Sequence, residues 1–186
     1  MNARRFFGGR VIGLLVVLVV IGAGYIVTRP SPAPPATTFE ECVAAGNPVM
    51  ESYPRQCNTK DGNHFVEDIG NTLDKSGLIR LASPLPGAQI SSPVTITGEA
   101  RGIWYFEASF PVFLTDWDGK IVAQGIATAQ SDWMTADFVP FVATLTFDTA
   151  DISGQYSDKG TLILKKDNPS GLPEHDDALE IPVHLK

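Results

Sequence analysis

Near its C-terminal end the chain places carboxylates and an imidazole side by side, in Pro173-Glu174-His175-Asp176-Asp177. Groups of this kind serve cation ligation or acid–base catalysis. Calcium takes six to eight oxygens spread over a loop with a sharp glycine turn, and zinc takes three or four well-spaced donors. Glu174, Asp176 and Asp177 supply only part of a calcium set, so PEHDD reads as a solvated turn; these three are the metal candidates, and no metal or other cofactor is expected. Asp116-Trp117-Asp118-Gly119-Lys120 opens as a calcium loop does, with acids two apart before a glycine. The oxygens such a loop needs later are missing from KIVAQG, and a hairpin turn accounts for the motif.

Nucleophilic catalysis needs a Ser, Thr or Cys beside a base that a third group orients. Of the histidines His64, His175 and His184, His175 alone has an acid for a neighbour, and no G-x-S-x-G elbow accompanies it. No catalytic set is legible, and the expectation is a protein that is not an enzyme. Glu107 is the odd acid, set in the most aromatic stretch of the chain between Phe106 and Ala108. Strand alternation sends it away from Trp104, toward solvent or toward a structural partner such as Arg101.

The elements that must position these residues begin with a membrane-directed segment. Arg4, Arg5 and Arg10 precede Val11 to Val27, 17 residues without a charge. At about 1.5 Å per residue a helix of that length spans roughly 25 Å, within the range that crosses a bilayer. The arginine bias puts the N-terminus in the cytoplasm and the rest outside. A cleaved signal peptide shares this grammar, but the apolar run is long for one and IGAGYIVTRPSP has no small-x-small cleavage site, so a single-pass anchor at the cell membrane is the expectation.

From Pro30 onward 10 basic residues face 21 acidic ones, a net of −11. Such a surface repels polyanions, which excludes a nucleic-acid binder. Both cysteines, Cys42 and Cys57, fall in the compartment where disulfides persist and are expected to pair.

RPSPAPPATT, Arg29 to Thr38, is a proline-rich spacer that favours extended polyproline II. Thr38 and Glu41 stand at capping-box spacing, and Gly46 with Pro48 supplies the stop, which predicts a short helix over Phe39 to Ala45. VMESY and HFVED flank the turn-rich NTKDGN as a hairpin, to which a Cys42–Cys57 bridge would pin that helix. Residues 70–77 read as a linker.

From residue 78 the pattern becomes period-two alternation. Val94, Ile96 and Ala100 share one face of VTITGEA; Trp104, Phe106, Ala108, Phe110, Val112 and Leu114 share one face of the next stretch, where Pro111 demands a bulge or an edge. IRLA, IVAQGIATA, FVATLTF, TLILK and LEIPVHL bring the total to seven strands, the pattern of an immunoglobulin-like antiparallel sandwich. With no cysteine in these strands, Trp104, Phe106, Phe110, Trp133, Phe138 and Phe141 are the expected seam, and WMTADFVPF is expected to plug the core. The fold class is therefore all-β, preceded by a transmembrane helix (1–28), the spacer (29–38), a small disulfide-linked α+β module (39–69) and the linker (70–77), with the sandwich over 78–186.

GAQISSPVTITGEARGIWYFEASFPVFLTDWDGK, DWMTADFVPFVATLTFD and KKDNPSGLPEHDDALEIPVHL, with the SPxxGxxxxSPxxxxGxA, FEASF, DxDG and terminal PV signatures, resemble the immunoglobulin-like domain associated with bacterial spore-germination (GerMN) domains, the second type of that "Gmad" series. The resemblance runs from about Leu81 to Leu185. It implies a bacterial, extracytoplasmic β-sandwich that binds or assembles at the envelope; the chain lacks the GerMN domain that accompanies it in germination proteins. ECVAAGNPVMESYPRQCNTKDGNHFVED resembles small two-cysteine modules ahead of other domains in bacterial exported proteins.

The functional expectation is a non-catalytic binding or scaffolding module, its partner an envelope protein or a cell-wall glycan. A loop-mediated regulator or inhibitor of a secreted enzyme, through NPSGLPEHDD, and a calcium-dependent adhesion domain are the alternatives.

Overall fold

The computed structural model describes residues 34–186; the apolar segment of residues 11–27 lies outside them. Among the described residues no helix is long and apolar enough to cross a membrane. Residues 38–186 form one compact unit.

Helix α1 (Phe39–Ala44) starts where Thr38 Oγ1 accepts from the Glu41 amide at 3.2 Å, and ends before Gly46, which takes the left-handed φ of +74° that such a stop requires. Three short strands follow: β1 (Val49–Met50), β2 (Gln56–Asn58) and β3 (His64–Val66), in the order β1-β2-β3. The hairpin therefore pairs β2 with β3 around residues 59–63, and not VMESY with HFVED. Tyr53 and Pro54 lie in the connection that returns β1 against β2. Cys42 of α1 and Cys57 of β2 are disulfide-bonded and fully buried, and Phe39 of α1, buried as well, has the Arg55 guanidinium over its ring.

The expected linker is itself docked. α2 (Thr72–Lys75) is a single turn, and before it Asn71 acts as a strand mimic along the last strand, β11 (Ala178–Leu185). Its amide donates to Glu180 O, its Nδ2 donates to Ala178 O at 2.9 Å, and its Oδ1 accepts from Glu180 N at 2.8 Å. Gly70 lets the backbones meet: at φ +60°, a Cβ there would sit 1.9 Å from Glu180 O.

The sandwich strands are β4 (Ile79–Ser83), β5 (Gln89–Ile90), β6 (Val94–Arg101), β7 (Ser109–Asp116), β8 (Ile121–Ala129), β9 (Phe138–Leu145), β10 (Lys159–Lys165) and β11. Their hydrogen-bonded order is β4-β6-β9-β8-β7-β10-β11-β5. β9 meets β8 through only two residue pairs, so the ladder folds into layers β4-β6-β9 and β8-β7-β10-β11-β5 over one core. The first strand is split. β4 pairs antiparallel with β6, the chain crosses at Pro84-Leu85-Pro86-Gly87, and β5 pairs parallel with β11. β5 and Asn71 together cover the β11 edge that would otherwise be open to aggregation.

Alternation holds where it was read in β6, β10 and β11, whose inward residues Ile96, Ala100, Leu162, Leu164, Leu179, Ile181 and Val183 are all buried. It fails before β7. Residues Gly102–Trp104 form a 3-10 turn, and Phe106 and Ser109 exchange both backbone hydrogen bonds, at 3.0 and 3.1 Å, around Glu107 and Ala108 at φ 49° and 63°. This is the type I′ geometry. Trp104 stays in the core, whereas Phe106 is turned out and leaves the expected seam. Trp133 and Phe138 are half-buried, Phe110 and Phe141 fully buried. Pro111 sits one residue past the end of the β10 ladder, where β7 has β8 for its only partner, so its missing N–H costs no sheet bond.

Tyr105, 4% exposed, donates its hydroxyl to Val139 O at 2.7 Å. Burial pushes its pKa up to about 12. Below about pH 10 the phenol is neutral in both folded and unfolded chains; between about 10 and 12 only the unfolded chain gives up the proton, so stability falls with rising pH by about 2–3 kcal/mol across that window. Tyr105→Phe should cost about 1 kcal/mol at neutral pH and remove that alkaline slope. Urea midpoints of both proteins between pH 8 and 12 check this, and parallel slopes would reject the assignment.

Candidate functional site

One end of the sandwich is built by three connections: residues 102–108 (β6 to β7), 130–137 (β8 to β9) and 166–177 (β10 to β11). The first is bonded to the third directly and to the second through Arg101 at its foot. Asp167 N donates to Trp104 O at 3.1 Å, and Arg101 Nη1 to Ala136 O at 2.8 Å. Gly102 is wedged against the second loop so tightly that a Cβ would lie 2.0 Å from Thr135 O and 2.3 Å from Trp133 O. Phe138, at the foot of that loop, has the Arg80 and Arg101 guanidinium carbons 4.0 and 4.2 Å from its ring centroid, two cation–π contacts that fix where β9 begins.

On this frame large apolar side chains face solvent: Ile103 (64% exposed), Phe106 (42%), Met134 (77%) and Leu172 (49%). WMTADFVPF is thus not a core plug throughout. Phe141 is core, while the Met134 turn is surface. The two consecutive left-handed residues, neither of them glycine, carry a conformational cost of order 1 kcal/mol each, of the kind that persists where the surroundings impose it. Beneath the surface Trp104 Nε1 is the buried side-chain polar atom that lacks a hydrogen-bond partner among the described residues.

Pro173–His175 form a 3-10 turn with Glu174 exposed. Asp176 accepts from Asn168 Nδ2 at 2.9 Å and faces Lys165, which holds its carboxyl below the usual carboxylate range, the Asn168 bond contributing most. Asp177 pairs with Lys75 of α2 and accepts from the Ala178 amide. Two lysines on different elements thus engage the two aspartates separately. Among the described residues no group of three or more His, Cys, Asp or Glu side chains gathers to hold a metal ion. Glu107 lies at the tip of the I′ turn and does not meet Arg101, whose Nε donates to Gly77 O and whose ring contact is Phe138. His64 meets Gln56, and His184 meets Asp158.

The opposite end is braced differently. Asp116, buried, accepts from the Asp118 and Lys120 amides at 3.0 and 2.9 Å and from Gln155 Nε2 at 3.0 Å, so its carboxylate is occupied in shaping the hairpin turn that the sequence predicts. Trp117 and the largely exposed Tyr156 meet there with ring centroids 5.7 Å apart.

Exposure at the loop end was not legible beforehand, because a periodic pattern reports faces of strands and says nothing of loop tips. The signal that existed was Ile103 and Met134 falling outside every alternating run.

Neither the curated proteins nor the solved structures compared with the chain include a match. The family comparison does: residues 78–167 match the Gmad2 family, described as the immunoglobulin-like domain of bacterial spore germination. The matched residues run from the start of β4 to just past β10, and β11 completes the sheet beyond them. The segment from β4 to β10 is thus similar to the Gmad2 immunoglobulin-like domain, and in this chain it forms two paired layers over one core.

Proposed function

We propose that this protein is a non-catalytic recognition or scaffolding module, held at the outer side of the bacterial membrane by its N-terminal apolar segment, and that it contacts an envelope partner through the loop end of the sandwich. The observation that carries the reading is a set of exposed apolar side chains, Ile103 and Met134 above all, mounted on loops held together by the Arg101–Ala136 and Asp167–Trp104 hydrogen bonds and by the close approach at Gly102. Several large apolar side chains exposed at one end of a domain mark an interaction site, and a pre-ordered surface loses little conformational entropy on binding. The Gmad2 match is consistent with a domain that binds or assembles and supplies no catalytic chemistry.

A photo-crosslinking amino acid placed at Met134 in the full chain in living cells tests the reading. It should trap a discrete adduct that the same group at Thr95, exposed on β6, does not form. Adducts from Thr95 and none from Met134 would move the contact elsewhere and overturn it.

A further inference from the structure

We infer that the loop end takes a cationic polypeptide segment with an apolar anchor, an inference that rests on the recognition reading and names its partner class. The charge around Ile103 and Met134 carries it. The first loop contributes Glu107, the second Asp132 and Asp137, and the third four more carboxylates; against these seven the three loops hold one lysine, Lys166, for a net of −6 beside −7 for the whole chain.

Part of that charge is met locally, since Asp176 faces Lys165, Asp177 pairs with Lys75, and Arg101 lies at the base of the loops on the Ala136 and Gly77 carbonyls. Glu107, Asp132, Asp137 and Glu174 stay exposed and make no salt bridge among the described residues. The loop end therefore carries exposed apolar side chains and unpaired carboxylates on the same three loops.

Charge complementarity then separates the possible occupants. A second copy would present the same sign and be repelled, as would anionic wall polymers and acidic lipid headgroups. A neutral glycan offers these carboxylates no counter-charge. A protein segment in which Lys or Arg flanks a large aliphatic or aromatic side chain fits both features: the anchor covers Ile103 and Met134, and the cations meet the carboxylates.

The test uses the full chain in phosphatidylcholine nanodiscs and fluorescein-labelled twelve-residue peptides, one alternating Lys with Phe, one alternating Glu with Phe and one alternating Lys with Ser, read by anisotropy. The Lys–Phe peptide should bind at least tenfold more tightly than either other peptide, and less tightly as salt is raised. Its affinity should fall at least tenfold in Ile103→Ser/Met134→Ser, and similarly in Glu107→Gln/Asp132→Asn/Asp137→Asn. Asp118→Asn/Asp148→Asn/Asp151→Asn, which removes the same charge from the opposite end, should leave it unchanged; circular dichroism checks that each variant folds.

Equal losses in the two charge variants, or no loss in the apolar one, would mean diffuse electrostatic attraction and overturn the inference. Equal or tighter binding of the Glu–Phe peptide would overturn it as well. If the peptides fail while Met134 still traps a partner in cells, the recognition reading stands and the cationic class is rejected; a trapped glycan rejects it in the same way.

Discussion

Truncating Phe110 to alanine should destabilise the sandwich by about 3–5 kcal/mol, the range for deleting a buried aromatic ring and leaving a cavity. Phe110 is fully buried on β7, and its ring meets Phe141 of β9 edge-on at 5.0 Å and Tyr105 at 5.3 Å. β7 and β9 belong to opposite layers, so this ring cluster joins the layers where antibody domains place a disulfide. A loss of that size is a large part of the ~5–15 kcal/mol that holds a typical domain together. Urea unfolding followed by tryptophan fluorescence would measure it, with Phe113→Ala, a half-buried position on the same strand, as the comparison. A Phe110→Ala loss no larger than that of Phe113→Ala would show that the seam lies elsewhere.

That seam was readable in outline because β6, β7, β10 and β11 each bury alternate residues, and the pattern is strongest where a strand has a core on one side and water on the other. Alternation breaks at Trp104 to Ala108 for a specific reason. Phe-Glu-Ala-Ser carries none of the Gly, Asn or Asp that usually marks a type I′ turn, so nothing interrupted the apparent alternation, and Phe106 was assigned to the core that it faces away from. β5 escaped notice because two residues make no period. Asn71 looked like a loop residue, and its pairing with Ala178 and Glu180, more than a hundred residues away, leaves no local trace. The loop end was partly visible: PEHDD and Glu107 drew attention through their residue types, but their common location with Ile103 and Met134 follows from strand order alone.

The small module depends on its crosslink far more than the sandwich depends on any one contact, and replacing both Cys42 and Cys57 by serine should unfold residues 38–68 while leaving the sandwich folded. The three strands of the module are two or three residues long, and its buried apolar residues before Ile69 are Phe39 and the cysteines themselves. So little apolar area cannot offset the entropy of ordering about thirty residues. In the chain-entropy model, a bridge across a sequence separation of 15 restrains the unfolded chain by about 3 kcal/mol. The other fastening, Arg55 to Glu67 with Nε to Oε2 at 3.0 Å, holds the Glu67 carboxyl below its usual range, chiefly through the hydrogen bonds from the Arg55 side chain. Solvent reaches Arg55, and an exposed pair of this kind contributes at most about 1 kcal/mol, too little to replace the bridge. Hydrogen exchange on the double-serine variant would read the outcome directly: the Ala45 and Glu67 amides, which bond to Glu41 O and Arg55 O, should lose protection while Leu114 and Leu164 keep theirs. Protection retained at Ala45 and Glu67 would mean that α1 and the β2–β3 hairpin hold without the disulfide. Because the bridge closes within the module and docking onto β11 begins only at Gly70, the loss should stop at that boundary.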